Sequence, residues 1–371
     1  MDKLYKATFT AIGTIIGAGV LGLPTVISKS GFFIGLIDLL IIGVIMILIN
    51  LIAGEICLRT KEPHQIPGLA KKYIGTKTGY IVTSLSIFSM YGALIAYTVG
   101  NGKILSLVLG VDPLAGKLLF FVPFSAIIYF GIKGVEESEI RLVSIMLFCI
   151  FILSFASLFY FDPSNLSGIN FSEFFSPIGV IIFAYFGMFA VPQMKEILWM
   201  EKKKLKKSIL LGMLIPIVVY IFFTLACIGS LGKIGADIVT IALAEKYGSF
   251  FLIVGYAFTF FAMGTGFIAL GNATQEIYSQ DLNINKNLSF LFTVSPALLS
   301  LLNITFIEIL GLTGSLFLIP LLLITLYLYT KAKKFGERRP EYELKLPNWA
   351  LVLIGMFLFL AMLITIWQSF V

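Results

Sequence analysis

Gly13-Thr14-Ile15-Ile16-Gly17-Ala18-Gly19-Val20-Leu21-Gly22-Leu23-Pro24 lies inside the first long apolar run of the chain. The run is long enough to cross a membrane as a helix, yet this stretch is poor helix material. Glycine costs about 1 kcal/mol against alanine in a helix interior, and proline about 3. In a bilayer, irregular backbone persists only where it is buried in protein or lines a cavity. The stretch therefore either packs tightly against a neighbour or opens its backbone to a ligand. Gly13-x-x-x-Gly17 is a small-x-x-x-small pattern, which suits the packing reading.

The rest of the chain supplies the context. Its 371 residues are 58% hydrophobic and 13% charged, which is membrane composition and leaves no stretch for a soluble domain. Apolar runs predict about eleven membrane-spanning helices. They lie near 6–27, 32–58, 78–108, 117–132, 140–161, 175–197, 208–231, 249–279, 288–303, 306–331 and 348–371. The fold class is thus an all-α integral membrane protein, read as one domain over 1–371. Lys3 and Lys6 precede the first run as in a signal peptide, but no clean cleavage site follows, so the run reads as a retained span. Cys57, Cys149 and Cys227 are too scattered for a disulfide or metal framework. His64 is the sole histidine and sits in a charged loop, so neither a histidine metal site nor a histidine proton relay is expected.

The net charge of +7 follows the positive-inside rule and does not call for nucleic acid. One side carries Lys3, Lys6, the Arg59–Lys77 loop, Lys133, Arg141, the Lys195–Lys207 run, Lys286 and the Lys331–Lys345 loop. The other side carries only Lys29, Lys117, Lys233 and Lys246. This predicts a multi-pass cell-membrane protein with a cytoplasmic N-terminus and, for an odd span count, an extracellular C-terminus. The Lys202–Lys207 cluster reads as a topology determinant that touches anionic lipid. Residues 67–79 look amphipathic and 233–248 too polar to span, so each is expected at a membrane surface or, for the second, as a re-entrant segment.

A second interrupted span echoes the first. Phe183-Ala184-Tyr185-Phe186-Gly187-Met188-Phe189-Ala190-Val191-Pro192 breaks the sixth span. The two breaks lie five spans apart in order, in the first and the sixth, so they cross the membrane in opposite directions. Matched Gly/Pro-interrupted segments in two halves point to a transporter built from inverted repeats. The repeats would run over about 6–161 and 175–331, with an extra helix at about 348–371. Unwinding at Gly17-Ala18-Gly19 exposes backbone N–H groups at the positive end of a half-helix, which suits a carboxylate. Unwinding near Phe183 to Gly187 exposes carbonyls, which suit an ammonium. The pair makes a site for a zwitterion without any charged side chain.

The motifs resemble a known superfamily. Gly17-Ala18-Gly19-Val20-Leu21-Gly22-Leu23-Pro24 is similar to the G-x-G-(V/I)-x-x-x-P signature of the first helix of the amino acid–polyamine–organocation superfamily. Phe183-Ala184-Tyr185-Phe186-Gly187, with Glu196 beyond, resembles the break of its sixth helix. Tyr91-Gly92-Ala93-Leu94-Ile95-Ala96-Tyr97 resembles the third helix of its amino acid/auxin permease branch. The resemblance implies a leucine-transporter-like fold of five plus five inverted repeats with discontinuous helices 1 and 6. It also implies secondary active transport of amino acids. On that resemblance Gly17, Ala18 and Gly19 hold the substrate carboxylate. Phe183, Ala184 and Phe186 offer carbonyls to the amine, and the Phe183 ring closes over the substrate. Tyr185, Gly187, Tyr91 and Tyr97 complete the candidate set.

Ion coupling is less defined. In sodium-coupled relatives the eighth helix supplies two hydroxyl residues; here Thr265 is present beside Gly264 and Gly266. First-helix carbonyls such as those of Gly13 and Ile16 would join it. The lysine that replaces the ion in some proton-coupled relatives is missing from 142–161. Ionisable residues inside a span are functional candidates. Asp38 and Glu276 are the first choices for proton coupling, ahead of Glu55, Glu196, Lys103 and Glu308. No cofactor is expected beyond H+ or Na+ as the coupling ion, and the oligomeric state stays open. The apolar, aromatic residues at the breaks (Phe183, Tyr185, Met188, Tyr97) predict a neutral, hydrophobic or aromatic amino acid. With no HExxH, no Ser–His pair and no aspartate dyad within a span, an enzyme is not expected. A transport-inactive amino acid sensor of the same fold is the alternative.

Overall fold

In the computed structural model, residues 2–130, 135–302 and 304–368 are described. Lys133 and the span ends at 131–132, 303 and 369–371 lie outside them. Asp2 caps the first helix, its carboxylate accepting from the Leu4 N–H at 3.0 Å. This helix, α1 (Lys3–Ile15), stops where Ile16 turns extended, and α2 (Gly19–Ser30) resumes at 53° to it. The expected sixth span is also split, into α8 (Ile178–Ala184) and α9 (Ala190–Ile197). α1 packs on α9 and α2 packs on α8, so the two broken spans run antiparallel side by side.

Around this pair stand α3 (Phe32–Arg59) and α10 (Leu205–Leu231), which touch both broken spans. A second group packs together beyond them. It comprises α5 (Thr76–Leu109), α6 (Pro113–Phe130), α12 (Ser249–Glu276) and α13 (Lys286–Val294). α7 (Val135–Leu158) joins α1, α10 and α12. α14 (Phe306–Leu312) passes through a π-helical turn, Thr313–Leu318, into α15 (Ile319–Phe335), and α16 (Asn348–Gln368) lies against α15. Among the described residues, eight helices are long and apolar enough to span a membrane, and the bent α1/α2 pair makes a ninth. Two more of the expected spans are segmented: α8/α9, and α13 with its 3-10 continuation Ser295–Leu301. Several apolar side chains on α3 (Phe33, Ile37, Leu40, Val44) are exposed, as a lipid-facing surface requires. Two short helices remain. α4 (Ile66–Tyr73) forms in the expected amphipathic loop, and α11 (Val239–Tyr247) in 233–248 packs across α2 and α12.

Contacts define two ends. At the basic end, Asp2 pairs with Lys204 (3.1 Å) and Lys72 with Glu337 (2.7 Å). At the opposite end, Thr25 donates to Ala236 O (2.8 Å) and Asn170 N–H to Ser30 O (2.9 Å). There the Gly168 carbonyl occupies the place of a side chain on Gly31, whose φ of +94° favours glycine independently.

A strap closes the basic end. Residues 336–347 lead from α15 to α16 and fold across the end of α3. Glu55 is fully buried and accepts from Arg59 Nε (3.0 Å), Arg59 Nη2 (2.8 Å) and the Leu344 N–H (2.6 Å). Arg59 also pairs with Glu343 on the strap. Tyr342 donates to Leu51 O (2.6 Å) and occupies the space that the missing side chain of Gly54 leaves. A buried carboxylate is tolerated only when paired and hydrogen-bonded in this way.

Candidate functional site

The first break is an open set of donors. The Ile16 N–H still closes α1 on Ile12 O at 2.8 Å. The N–H groups of Gly17, Ala18 and Gly19 then have no hydrogen-bond partner among the described residues. A helix start leaves its first N–H groups unpaired, and no side chain caps α2. These three residues line a cavity together with Thr14 and Ile15 of α1. α5 contributes Ser89, Met90, Ala93 and Tyr97; the sixth span Phe183, Phe186 and Phe189; α12 Leu270; and the π-helical turn Leu318. The walls are aromatic and aliphatic, and among the described residues no Asp, Glu, Lys or Arg side chain lines them. The cavity lies at the break and towards the basic end: Ser89 and Met90 belong to the half of α5 that starts there, and Leu270 to the half of α12 that finishes there.

Glycines set the approach of these elements. A side chain on Gly19 would overlap the Ala184 backbone, so the two breaks touch main chain to main chain there. A Cβ on Gly17 would lie 3.3 Å from the Tyr97 hydroxyl, and one on Gly266 2.8 Å from it. Tyr97, 6% exposed, thus sends its hydroxyl between α12 and the first break.

The second break mostly satisfies itself. The Phe186 N–H donates to Phe183 O (3.3 Å), Ala190 N–H to Gly187 O (3.0 Å) and Val191 N–H to Met188 O (3.2 Å). Tyr220, buried on α10, directs its hydroxyl at Ile15 O (2.8 Å) and Ala184 O (3.2 Å), one carbonyl from each broken span. Of the carbonyls expected to face an amine, those of Phe183 and Ala184 are therefore engaged. The Phe186 carbonyl has no hydrogen-bond donor among the described residues, and neither has that of Tyr185.

Of the candidate residues, Gly17, Ala18, Gly19, Phe183, Phe186 and Tyr97 meet at the cavity. Ala184 lies behind it against Gly19. Tyr185 turns away and stacks on Tyr220, with centroids 5.2 Å apart. Gly187 faces Ile15, whose side chain would be 2.8 Å from an added Cβ. Tyr91 leaves the cavity altogether, its hydroxyl meeting those of Tyr278 and the Phe292 carbonyl. None of Gly13, Ile16, Thr265, Asp38 or Glu276 lines the cavity. Thr265 donates to Phe261 O at 2.8 Å. Asp38 is buried, and its Oδ2 has no hydrogen-bond partner among the described residues. Glu276 is exposed near the end of α12.

Sequence reasoning missed Ser89, Met90, Ala93 and Leu270, because α5 and α12 have no interruption to mark a site; it also missed Thr14 and Phe189, which flank the residues singled out at the two breaks, and Leu318 of the π-helical turn. Tyr220 was missed too, although a buried tyrosine hydroxyl generally needs a partner.

Comparison with known proteins follows from this geometry. The tryptophan/tyrosine permease family profile matches residues 1–368. Tyrosine-specific transport system 1 of Haemophilus influenzae is 29% identical over 238 residues, 62% of this chain and 59% of that protein. Glutamine transporter 2 of Aliivibrio fischeri is 25% identical over 336 residues, 84% of each chain. The low affinity tryptophan permease of Proteus vulgaris is 27% identical over 248 residues, 61% of this chain and 57% of that one. The matches thus span under two thirds of the tyrosine and tryptophan relatives. The solved structure of MhsT in complex with L-phenylalanine superposes with a TM-score of 0.73 over 98% of both chains at 15% identity. That likeness establishes the leucine-transporter-like fold.

Proposed function

Because the chain belongs to the tryptophan/tyrosine permease family, we propose that it is a secondary active transporter that carries a neutral aromatic amino acid across a membrane by alternating access. The observation that carries this reading is the cavity itself. Three free N–H groups stand at one end, the walls are aromatic, and among the described residues no charged side chain lines it. The Gly17–Gly19 N–H groups bind the carboxylate, assisted by the Tyr97 hydroxyl. The Phe186 carbonyl takes the amine, and the Phe183 ring covers the substrate. A permease binds and releases without covalent chemistry, so no enzyme activity is assigned.

Orientation and coupling belong to the same reading. The basic end faces the cytoplasm, with the N-terminus, and α16 finishes outside. The cavity then faces inward, and the outward state follows when α1/α2, α3, α8/α9 and α10 rock against α5, α6, α12 and α13. H+ or Na+ couples the cycle. Buried Asp38 supports a proton; the carbonyl end of α1 at Gly13 and Ile16, with Thr265, supports a sodium ion. The third-helix pattern around Tyr91 to Tyr97 is the support for the amino acid/auxin permease branch.

The test is counterflow in proteoliposomes with labelled tryptophan, tyrosine, phenylalanine, glutamine, arginine and glutamate, under a sodium gradient alone and a proton gradient alone. Tryptophan or tyrosine should exchange fastest. Preference for arginine or glutamate would sink the reading of the cavity, and binding without flux would make the protein a sensor.

A further inference from the structure

Two hydroxyls in the cavity are committed in the same way. Ser89 is 4% exposed and donates to Ser86 O at 2.8 Å. Thr14 donates to Thr10 O at 2.9 Å. A hydroxyl has one proton and two lone pairs. With its proton spent on its own helix, each presents the cavity with an acceptor. Apart from Tyr97, the other side chains that line the cavity, among them Met90, Ala93, Phe186, Phe189, Leu270 and Leu318, are apolar. The basic-end half is therefore an apolar box with two acceptors and no side-chain donor.

Position relates this box to the rest of the site. Tyr97 marks the end where the free N–H groups stand. Ser89, Ala93 and Tyr97 are spaced by four residues on α5 and all line the cavity, so they share one face. Ser89 is two turns, about 12 Å along the axis, from Tyr97. The tyrosine side chain leans towards the N-terminal end of its helix, which is the direction of Ser89. An amino acid whose carboxylate sits at the first break thus directs its side chain at the box. A ring carrying an N–H or O–H can donate to an acceptor there. A phenyl ring cannot, and a site built around a polar group discriminates against the analogue that lacks it. A carboxamide would satisfy an acceptor but leave its own carbonyl without a donor.

We propose that Ser89, together with Thr14, is a specificity determinant that favours an aromatic amino acid with a polar ring hydrogen, an indole or a phenol, over phenylalanine. The proposal rests on the permease reading. In it the two residues touch the substrate ring and leave the carboxylate site to the break.

The test measures equilibrium binding of tryptophan, tyrosine and phenylalanine to the full chain in detergent or proteoliposomes. In Ser89→Ala the tryptophan-to-phenylalanine affinity ratio should fall about fivefold, the worth of one neutral hydrogen bond. Adding Thr14→Val should lower it further, while Ser89→Thr should restore it. The unmodified protein supplies a second measurement that needs no variant to fold. 3-Benzothienylalanine, with sulfur in place of the indole N–H, should bind about fivefold more weakly than tryptophan. An unchanged ratio in the double variant, or equal binding of the two isosteres, overturns the proposal and leaves the permease reading standing. If the unmodified protein binds no aromatic amino acid at all, the permease reading fails and the proposal falls with it.

Discussion

The two broken spans look like a matched pair, yet they offer different chemistry. At the first, Ile16 closes α1 and the chain then runs through Gly17 and Ala18 into an uncapped helix, so the N–H groups stay free. At the second, residues 185–189 make short turns that consume several of their own polar groups, and Phe183, Phe186 and Phe189 face the cavity as rings. One break is a donor site; the other is chiefly an aromatic wall with two carbonyls left over. Glycine density accounts for the difference. Gly17 and Gly19 keep side chains out of the way of their own N–H groups, whereas Gly187 stands alone among bulky residues and serves to admit Ile15. An interruption in a span thus marks where backbone is released, and the neighbouring residue types decide what becomes of it.

The largest expected effect tests whether the breaks depend on touching. Gly19→Ala places a methyl group inside the Ala184 backbone. Overpacking of this kind costs about 1–3 kcal/mol, and it separates the donors from the wall. Uptake should fall by about a hundredfold or more, since small displacements at a binding site carry such penalties. Uptake near the unmodified level would show that the two breaks work apart. Next comes Tyr97→Phe, which removes the hydroxyl beside Gly17. A hydrogen bond to a charged group is worth about 1.5–3 kcal/mol, so substrate affinity measured by calorimetry should fall roughly tenfold or more. An unchanged affinity would leave the first break holding the carboxylate alone.

Tyr220→Phe attacks the tie between the breaks. It leaves Ile15 O and Ala184 O without their shared donor, and an unsatisfied buried group costs about 1–3 kcal/mol. The expected outcome is a lower melting temperature with a smaller change in affinity than Tyr97→Phe. A loss of affinity without a loss of stability would instead place Tyr220 in the binding site. The smallest effect is Gly187→Ala. The added methyl meets the flexible end of Ile15 at 2.8 Å, which can move aside. Uptake should drop by less than about tenfold, within the cost of a mild overpacking. A loss equal to that of Gly19→Ala would make the breaks equivalent after all.

Much of the fold was legible because apolar runs of span length announce helices, and glycines and Pro24 announce where one breaks. The antiparallel packing of α1/α2 with α8/α9 follows from their order as first and sixth spans, an odd offset. Half of the cavity was legible for the same reason: Gly17, Ala18, Gly19, Phe183 and Phe186 sit at interruptions. The other half comes from α5, α12 and the turn before α15. α5 and α12 are apolar on every side, so no face of Ser89, Met90, Ala93 or Leu270 stood out. Tyr91 and Tyr97 are of one type six residues apart, and only packing separates the one at the Tyr278 hydroxyl from the one at Gly17. Tyr185 sits at the break in sequence but finds its ring partner on α10. The Glu55–Arg59 pair is readable as an i, i+4 couple; its completion by Glu343 and Leu344 is not.

That completion has a consequence for how the protein is made. Glu55 and the backbone of Leu344 are 289 residues apart in sequence. A ribosome adds about 5–20 residues each second, so the carboxylate exists for many seconds before its last donor does. Through that interval Glu55 has Arg59 on its own helix but lacks the Leu344 N–H, and the space beside Gly54 lacks the Tyr342 hydroxyl. The strap is therefore a late fastening of synthesis, followed by α16 alone among the described helices. A chain cut short ahead of the strap leaves Glu55 without the Leu344 N–H and Leu51 O without the Tyr342 hydroxyl.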